Sequence, residues 1–440
     1  MRSKYLRAGL ASAALLSLAC GIRFVAARTE PWPPPVIVVT PSAAHLASSV
    51  SVAALNTTLL TRLHAFNAQP LRGHLDIFGK DSAKAWDWTY LARSAVRIHR
   101  LNHDKRLIEA VLTGFAAYTA DAARHEAIDG FGWYTENTRT GAVYREVSIT
   151  GLVVAPIIDL LLEARTDPQV AEIVEPRRAA LLDIIRRSLV GLDRLYIEED
   201  GRGYYLLPAG GEIEPINLMS IYAAQLLGYW RLTSDAEPLR EATGIARTWK
   251  AVLHSSADWG VSWPHTARPS SIRGPSNPSD FLYKAAAAIE FPLEAYKADL
   301  VLQRKDIEAI AKAPLTTLLR KIDDAHYQLR AVMDPSLDNW ESYDPKAPSA
   351  ALRPAAWYSY LCIDPTLAPA LDAYLFGIDP KFYQRDGVSL LGETERLVIE
   401  LDPLACSKDQ SAAPAQALAG TPTGLPEMAT GAGTTRSILR

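Results

Sequence analysis

The chain has 440 residues, 48% of them apolar and 22% charged, with 46 basic side chains against 49 acidic ones. Apolar content at that level supplies a sizeable core and excludes disorder for the bulk of the chain. A net charge of −3 leaves no basic stripe for phosphate backbones, so no nucleic-acid partner is expected. Cysteines at 20, 362 and 406 are too few and too scattered for a disulfide framework or a thiolate metal site.

Arg2, Lys4 and Arg7 precede an apolar run from Ala8 to Ala19, the pattern of a secretory signal. Val25-Ala26-Ala27 offers small residues for cleavage after Ala27, and Arg23 breaks the run before it is long enough to span a membrane. The alternatives are lipidation at Cys20, although Ser17 stands where leucine is usual, and an uncleaved anchor; either attaches the chain to a membrane. Residues 1–27 are therefore expected to address the protein to the periplasm or the exterior. Residues 28–41 contain TEPWPPPVIVVTP, a proline-rich linker that stays extended. Residues 407–440, rich in Ala, Gly, Thr, Pro and Ser without periodicity, form an expected disordered tail. That leaves 42–406 as one folded domain.

From Ser42 to Ile378 the pattern is overwhelmingly helical. Leu107, Val111 and Phe115 make one apolar face; Leu152, Pro156, Ile157, Leu160 and Leu161 make another; Leu181, Leu182, Ile185, Leu189 and Leu192 make a third. Asn102-His103-Asp104, Thr166-Asp167-Pro168 and Thr233-Ser234-Asp235 punctuate the runs with N-cap residues. The breaks define a repeat: helix, Asp-bearing turn, second helix, then a Gly- and aromatic-rich loop such as Gly130-Phe131-Gly132-Trp133-Tyr134 or Gly201-Arg202-Gly203-Tyr204-Tyr205. Units open near Trp86, Tyr144, Asn217, Asp280 and Trp357, 58 to 77 residues apart, nearly twice the period of about 34 of a tetratricopeptide solenoid. A helix near Ala43–Phe66 can complete a sixth unit with a C-terminal partner, so an all-α closed ring of about six hairpins is expected. Residues 386–403, with VSLL and RLVIELD, suggest a short strand pair beside it.

This layout resembles the (α/α) toroid, or six-hairpin, superfamily of carbohydrate-active proteins, which includes glycoside hydrolases, polysaccharide lyases and uronyl C5-epimerases. The resemblance covers roughly residues 80–378 and rests on unit architecture, strengthened by the Trp-Tyr loops and by YREVSITG and NPSDFLYKAAAAIEFPLEAY. The latter is similar to the acidic segment opening a late inner helix in epimerase-like toroids, but lacks the histidine after the acid. No catalytic motif carries over.

In such a ring the unit openings face one mouth of a central funnel. Aromatic rings there supply flat surface for sugar C–H faces. The candidate binding residues are Trp86, Tyr90, Trp133, Tyr134, Tyr205, Tyr222, Trp263 and Trp357, with Arg145, Asn217, Asn277 and Lys284 as groups for a sugar's carboxylate or hydroxyls. Asp87, Glu146 and Asp280 are the candidate acids and bases, since glycosidic hydrolysis requires a carboxyl pair. Helix capping is the competing explanation for each. Tyr144 and His265 are the candidate proton carriers for abstraction alpha to a uronate carboxylate. His99 and His103 sit four apart, as in zinc-binding H-E-x-x-H helices, but Arg-Leu-Asn lies between them, so no metal is expected. No Gly-rich phosphate loop and no nucleophile elbow occurs, so no cofactor is expected either.

The expectation is an exported protein acting on a polysaccharide, by uronate chemistry as lyase or C5-epimerase. A glycoside hydrolase on the same scaffold is the first rival; a non-catalytic glycan-binding scaffold working with other envelope proteins is the second.

Overall fold

The computed structural model describes residues 37–38, 51–69, 80–136, 143–208, 211–256, 260–272, 280, 282–323, 326–330, 333, 340–341, 353–377, 387–402 and 405–406. The signal, most of the linker and the C-terminal tail lie outside these residues. So do Asn277, Trp259 and the side chain of Tyr283.

The helices run in chain order as α1 (Val52–Asn67), α2 (Lys80–Asn102), α3 (Lys105–Asp129), α4 (Val147–Glu163), α5 (Pro168–Val174), α6 (Arg178–Leu189), α7 (Ile216–Thr233) and α8 (Ala236–Val252). There follow α9 (Leu282–Ala288), α10 (Glu290–Lys297), α11 (Arg304–Ala313), a 3-10 segment over Arg353–Tyr360, α12 (Leu367–Gly377) and α13 (Gly387–Leu401). Inner and outer elements alternate. The inner set is α2, α4, α7, α9 with α10, the 3-10 segment and α13, each packed on the next. The ring closes because α13 packs on both α2 and α1, making the first and last helices among the described residues the sixth hairpin.

Sequence explains which helix goes where. Inner α4 and α7 are buried on nearly every face, as VSITGLVVAPIIDLLLE and INLMSIYAAQLLGYWRLT require. Outer α3, α6 and α8 bury a single stripe and turn charged residues outward. The turns are fixed by caps: Asp104 accepts from Arg106 N at 3.1 Å, Asp167 from Gln169 N at 2.8 Å and Asp235 from Glu237 N at 3.2 Å. His103 (φ 52°) and Ser234 (φ 62°) adopt the left-handed conformation that ends the helix before two of those caps.

Three returns from outer to inner helix carry a two-stranded antiparallel hairpin where aromatic loops were expected. These are β2 (Tyr134–Glu136) with β3 (Val143–Arg145), β4 (Tyr196–Glu199) with β5 (Arg202–Tyr205), and β6 (His254–Ser256) with β7 (Gly260–Ser262).

Three expectations need correction. Residues 386–403 are not a strand pair but α13, the sixth inner helix, because Val388, Leu390, Leu397 and Val398 bury against neighbours on both sides. The stretch to Ile378 is not helical throughout: β8 (Leu319–Asp323) and β9 (His326–Arg330) form a hairpin, and β9 also pairs with β1 (Ile37–Val38) and β10 (Trp340–Glu341). Two residues of the proline-rich linker thus form the edge of a sheet, an extended conformation put to use. Finally, Cys362 and Cys406 are joined by a disulfide, with Cα atoms 5.2 Å apart, tying the 3-10 segment to the end of α13.

Candidate active site

The ring encloses a central basin of about 260 Å³, lined by the inward faces of all six inner elements. Its wall on α2 is the stripe Trp86, Tyr90, Arg93, Arg97 and Arg100, met across the basin by Asp159, Glu290, Glu294 and Glu395. Arg93 is the hub of the lower wall. Its Nε donates to Asp159 Oδ2 at 2.7 Å, while Nη1 and Nη2 each donate to Glu290 at 2.6 Å. Arg97 pairs with Glu395, Arg100 with Glu163 at 2.5 Å, and Arg231 with Glu294 at 2.6 Å. Burial opposes the Glu294 charge, yet Lys297 and Arg231 hold its carboxyl well below the usual range. Toward the C-terminal ends of the inner helices, then, opposite charges cancel within the basin.

The other mouth differs. Thr89 Oγ donates to Leu152 O, which sets α2 and α4 in register. One turn further toward the N-termini stand Trp86 on α2 and Ser148 on α4. Ser148 Oγ donates to Glu146, the N-cap residue of α4, which makes no capping bond of its own. Beside Glu146 lies Glu214, two residues before α7. Neither Glu214 oxygen has a hydrogen-bond partner among the described residues, although the side chain is 1% exposed. Burial raises the carboxyl of Glu146 above its ordinary range, against the pull of the Ser148 bond. Burial raises Glu214 well above it too, and the Glu146 charge adds to the shift. Asn217, the second residue of α7, is buried with its Oδ1 unpartnered among the described residues.

The arc continues onto α9. Ile216 N donates to His265 O at 2.9 Å, so the start of α7 is bound to the loop that carries His265. The His265 Nδ1 lies 3.0 Å from Asp280 Oδ1, and its Nε2 lies 3.0 Å from Lys284 Nζ. A carboxylate on one side and an ammonium on the other assign the proton to Nδ1 and the acceptor role to Nε2. Burial lowers the Lys284 ammonium, with Asp280 opposing. Trp263 Nε1 also donates to Asp280, at 3.2 Å.

The structure therefore brings His265, Asp280 and Lys284 together, sets Glu146 and Asn217 at the starts of α4 and α7, and leaves Trp86 and Tyr90 lining the basin with a ring separation of 6.1 Å. Asp87 is exposed, two turns into α2, and does not line the basin. Tyr144 is buried, and burial pushes its phenol up, with Glu146 and Glu214 adding to that.

Other candidates do structural work. Trp133, Tyr134, Tyr205, Tyr222, Trp263 and Trp357 are each at most 1% exposed, so they present no face to a sugar. Trp133 Nε1 donates to Tyr118 O, Tyr205 Oη to Glu241, and Trp357 Nε1 to Ile310 O. Arg145 is also buried. Its Nη1 donates to Phe131 O at 2.9 Å, between two loops whose glycines, Gly132 in one and Gly191 in the other, leave room for the side chain. The aromatic loops look alike for a packing reason: each hairpin plugs the gap between an outer helix and the next inner one.

Glu214 went unnoticed in the sequence, although a signal was present. In Tyr144-Arg145-Glu146 and again in Glu212-Ile213-Glu214 a glutamate closes the segment just ahead of an inner helix.

No protein-family model matches the chain, and a comparison with curated proteins finds no match. Solved structures do match. An unsaturated glucuronyl hydrolase specific for heparin is 11% identical with a TM-score of 0.51, covering 79% of this chain and 97% of its own. The unsaturated glucuronyl hydrolase of Bacillus sp. GL1, responsible for glycosaminoglycan degradation, is 13% identical (TM-score 0.49; 80% and 96% covered). The α-1,6-mannanase GH76A of Salegentibacter sp. HEL1_6 is 9% identical (TM-score 0.47; 82% and 100% covered). The fold is an (α/α) toroid. The toroid resemblance expected from unit architecture thus holds over most of the chain, with six hairpins and a lined basin.

Proposed function

We propose that this toroid is an exported glycoside hydrolase whose carboxyl pair is Glu146 and Glu214. The observation that carries the proposal is Glu214: a buried carboxyl without a hydrogen-bond partner among the described residues, beside the second buried carboxyl of Glu146 just ahead of the inner helices α4 and α7. An unsatisfied buried carboxyl costs stability, and a catalytic role accounts for its retention. The two environments push the pair apart in the sense that hydrolysis needs. Glu146 takes a hydroxyl hydrogen bond that favours its ionised form and serves as the base or nucleophile. Glu214 has no donor among the described residues and faces a neighbouring negative charge, so it keeps its proton; being buried, it protonates the departing glycosidic oxygen only once bound sugar displaces the side chains that cover it. Trp86 and Tyr90 supply the flat apolar wall for the sugar. Lys284, held by His265, offers a cation to an acidic sugar.

Hydrolysis is preferred over elimination or epimerisation because the buried carboxyl pair suits it, while Arg145, one of the four groups expected to meet a sugar's carboxylate or hydroxyls, is spent on the Phe131 loop. The heparin-specific unsaturated glucuronyl hydrolase, a toroid of similar fold, supports an acidic glycan as the substrate class. The Cys362–Cys406 disulfide supports export, since such bonds persist in oxidising compartments. Among the described residues no helix is long and apolar enough to cross a membrane.

The test is a panel of acidic and neutral oligosaccharides incubated with the purified protein. New reducing ends without ultraviolet-absorbing unsaturated ends are expected, and Glu146→Gln and Glu214→Gln should each abolish their release while leaving circular dichroism unchanged. Unsaturated products would identify a lyase. Binding without turnover would leave the protein a glycan-binding scaffold.

A further inference from the structure

We infer that His99, His103 and Asp167 bind one divalent ion of the zinc class, a site that pins the turn of the first hairpin to the turn of the second. The histidine spacing suits a metal, but the intervening Arg-Leu-Asn argued against one because it supplied no further ligand. The fold supplies it from another unit. Asp167 opens α5 after the α4 turn, and its Oδ1 caps that helix at Gln169 N, leaving Oδ2 directed at both rings.

The spacings suit a metal better than hydrogen bonds. His99 Nδ1 lies 3.5 Å and His103 Nδ1 3.8 Å from Asp167 Oδ2, and one donor atom from each residue falls within 4.8 Å of the others. Ligands about 2.0–2.1 Å from a tetrahedral ion stand about 3.4 Å apart, close to both separations. For a direct hydrogen bond the same separations are long. His99 is completely buried, and neither of its ring nitrogens has a hydrogen-bond partner among the described residues. A histidine sealed in this way is costly unless something takes its lone pair. The His103 ring stands edge-on to the His99 ring, with centroids 5.7 Å apart, and its half-exposed position leaves room for water as a fourth ligand.

Neighbouring charges are already engaged. Asp104 is held by Arg106 and Asn56, Lys105 pairs with Glu172, and Arg100 pairs with Glu163. Two imidazoles and one carboxylate favour zinc over magnesium or calcium, which prefer all-oxygen shells. With α2 and α3 meeting at His103 and α4 and α5 at Asp167, the ion would join two units through their turns.

The experiment uses untagged, chelator-treated full-length protein titrated with zinc chloride by calorimetry, then with cobalt chloride. One zinc per chain is expected, together with the intense visible absorption of tetrahedral cobalt and a raised unfolding temperature. His103→Asn tolerates the left-handed backbone and Asp167→Asn retains the helix cap, so both variants should fold. Each should weaken zinc at least about tenfold and abolish the cobalt band. No saturable binding at sub-millimolar zinc would overturn the inference, as would binding that both variants leave unchanged. The cobalt spectrum of the unaltered protein decides the matter independently of the variants.

Discussion

Arg93→Met tests whether the basin wall is held together through a single guanidinium. Arg93 projects from α2 with its side chain 6% exposed and joins three inner elements, binding Asp159 of α4 and Glu290 of α10 through three nitrogens. Methionine fills much of the same volume but strands both carboxylates. Breaking a buried ion pair by removing one partner costs about 3–5 kcal/mol. Asp159 and Glu290 retain side-chain exposures of 21% and 34%, so water relieves part of that penalty. The expected loss is about 2–3 kcal/mol. Equilibrium urea denaturation followed by circular dichroism and tryptophan fluorescence measures it. Adding Glu290→Gln should restore part of the loss, with a coupling of about 1 kcal/mol or more. A loss below about 0.5 kcal/mol, or strict additivity in the double variant, would show that the ion pair does not hold the ring.

Other expectations follow from single contacts. Burial raises the Glu241 carboxyl to about 7, against the Tyr205 hydrogen bond. A raised acid favours the folded state below its unfolded value, and that contribution is lost as pH climbs from about 4.5 to about 7. Glu241→Gln should therefore flatten a decline of up to about 3 kcal/mol across that window in pH-dependent denaturation, and an unchanged slope would refute the assignment. The corresponding sign for Glu214 makes Glu214→Gln stabilising at neutral pH, with the gain fading on acidification. At Gly114 a Cβ would fall 2.3 Å from the Trp88 ring, so Gly114→Ala should cost about 1–3 kcal/mol in the same assay. Replacing both Cys362 and Cys406 by serine opens a 44-residue separation and should cost about 2–4 kcal/mol, with reductant ceasing to affect the unfolding midpoint.

The ring was legible because its punctuation is local. Asp104, Asp167 and Asp235 cap outer helices through their own side chains, and apolar periodicity shows in the sequence without knowledge of any neighbour. What failed to show depends on distant partners. α13 looked like strands because VSLL and RLVIE are short apolar runs, and only the seats offered by α2 and the 3-10 segment make them one helix. The aromatic loops marked the hairpins correctly, but a tryptophan that plugs a ring and one that lines a basin share the same local sequence. Trp133 sits in a loop and is buried, whereas Trp86 sits on α2 and lines the basin. Glu214, and any role of Asp167 beyond its cap, were overlooked for a related reason. Each acquires meaning from a residue dozens of positions away, Glu146 in one case and His99 in the other.

The most direct measurement is a crystal structure of Glu214→Gln soaked with oligosaccharides drawn from the substrate panel. A sugar ring should lie against Trp86, with a glycosidic oxygen within hydrogen-bonding reach of residue 214 and Glu146 on the opposite side of the bond. Sugar bound instead at the far end of the basin, beside Arg100 and Lys297, or glycan absent from the basin altogether, would contradict the assignment of Glu146 and Glu214 as the catalytic pair.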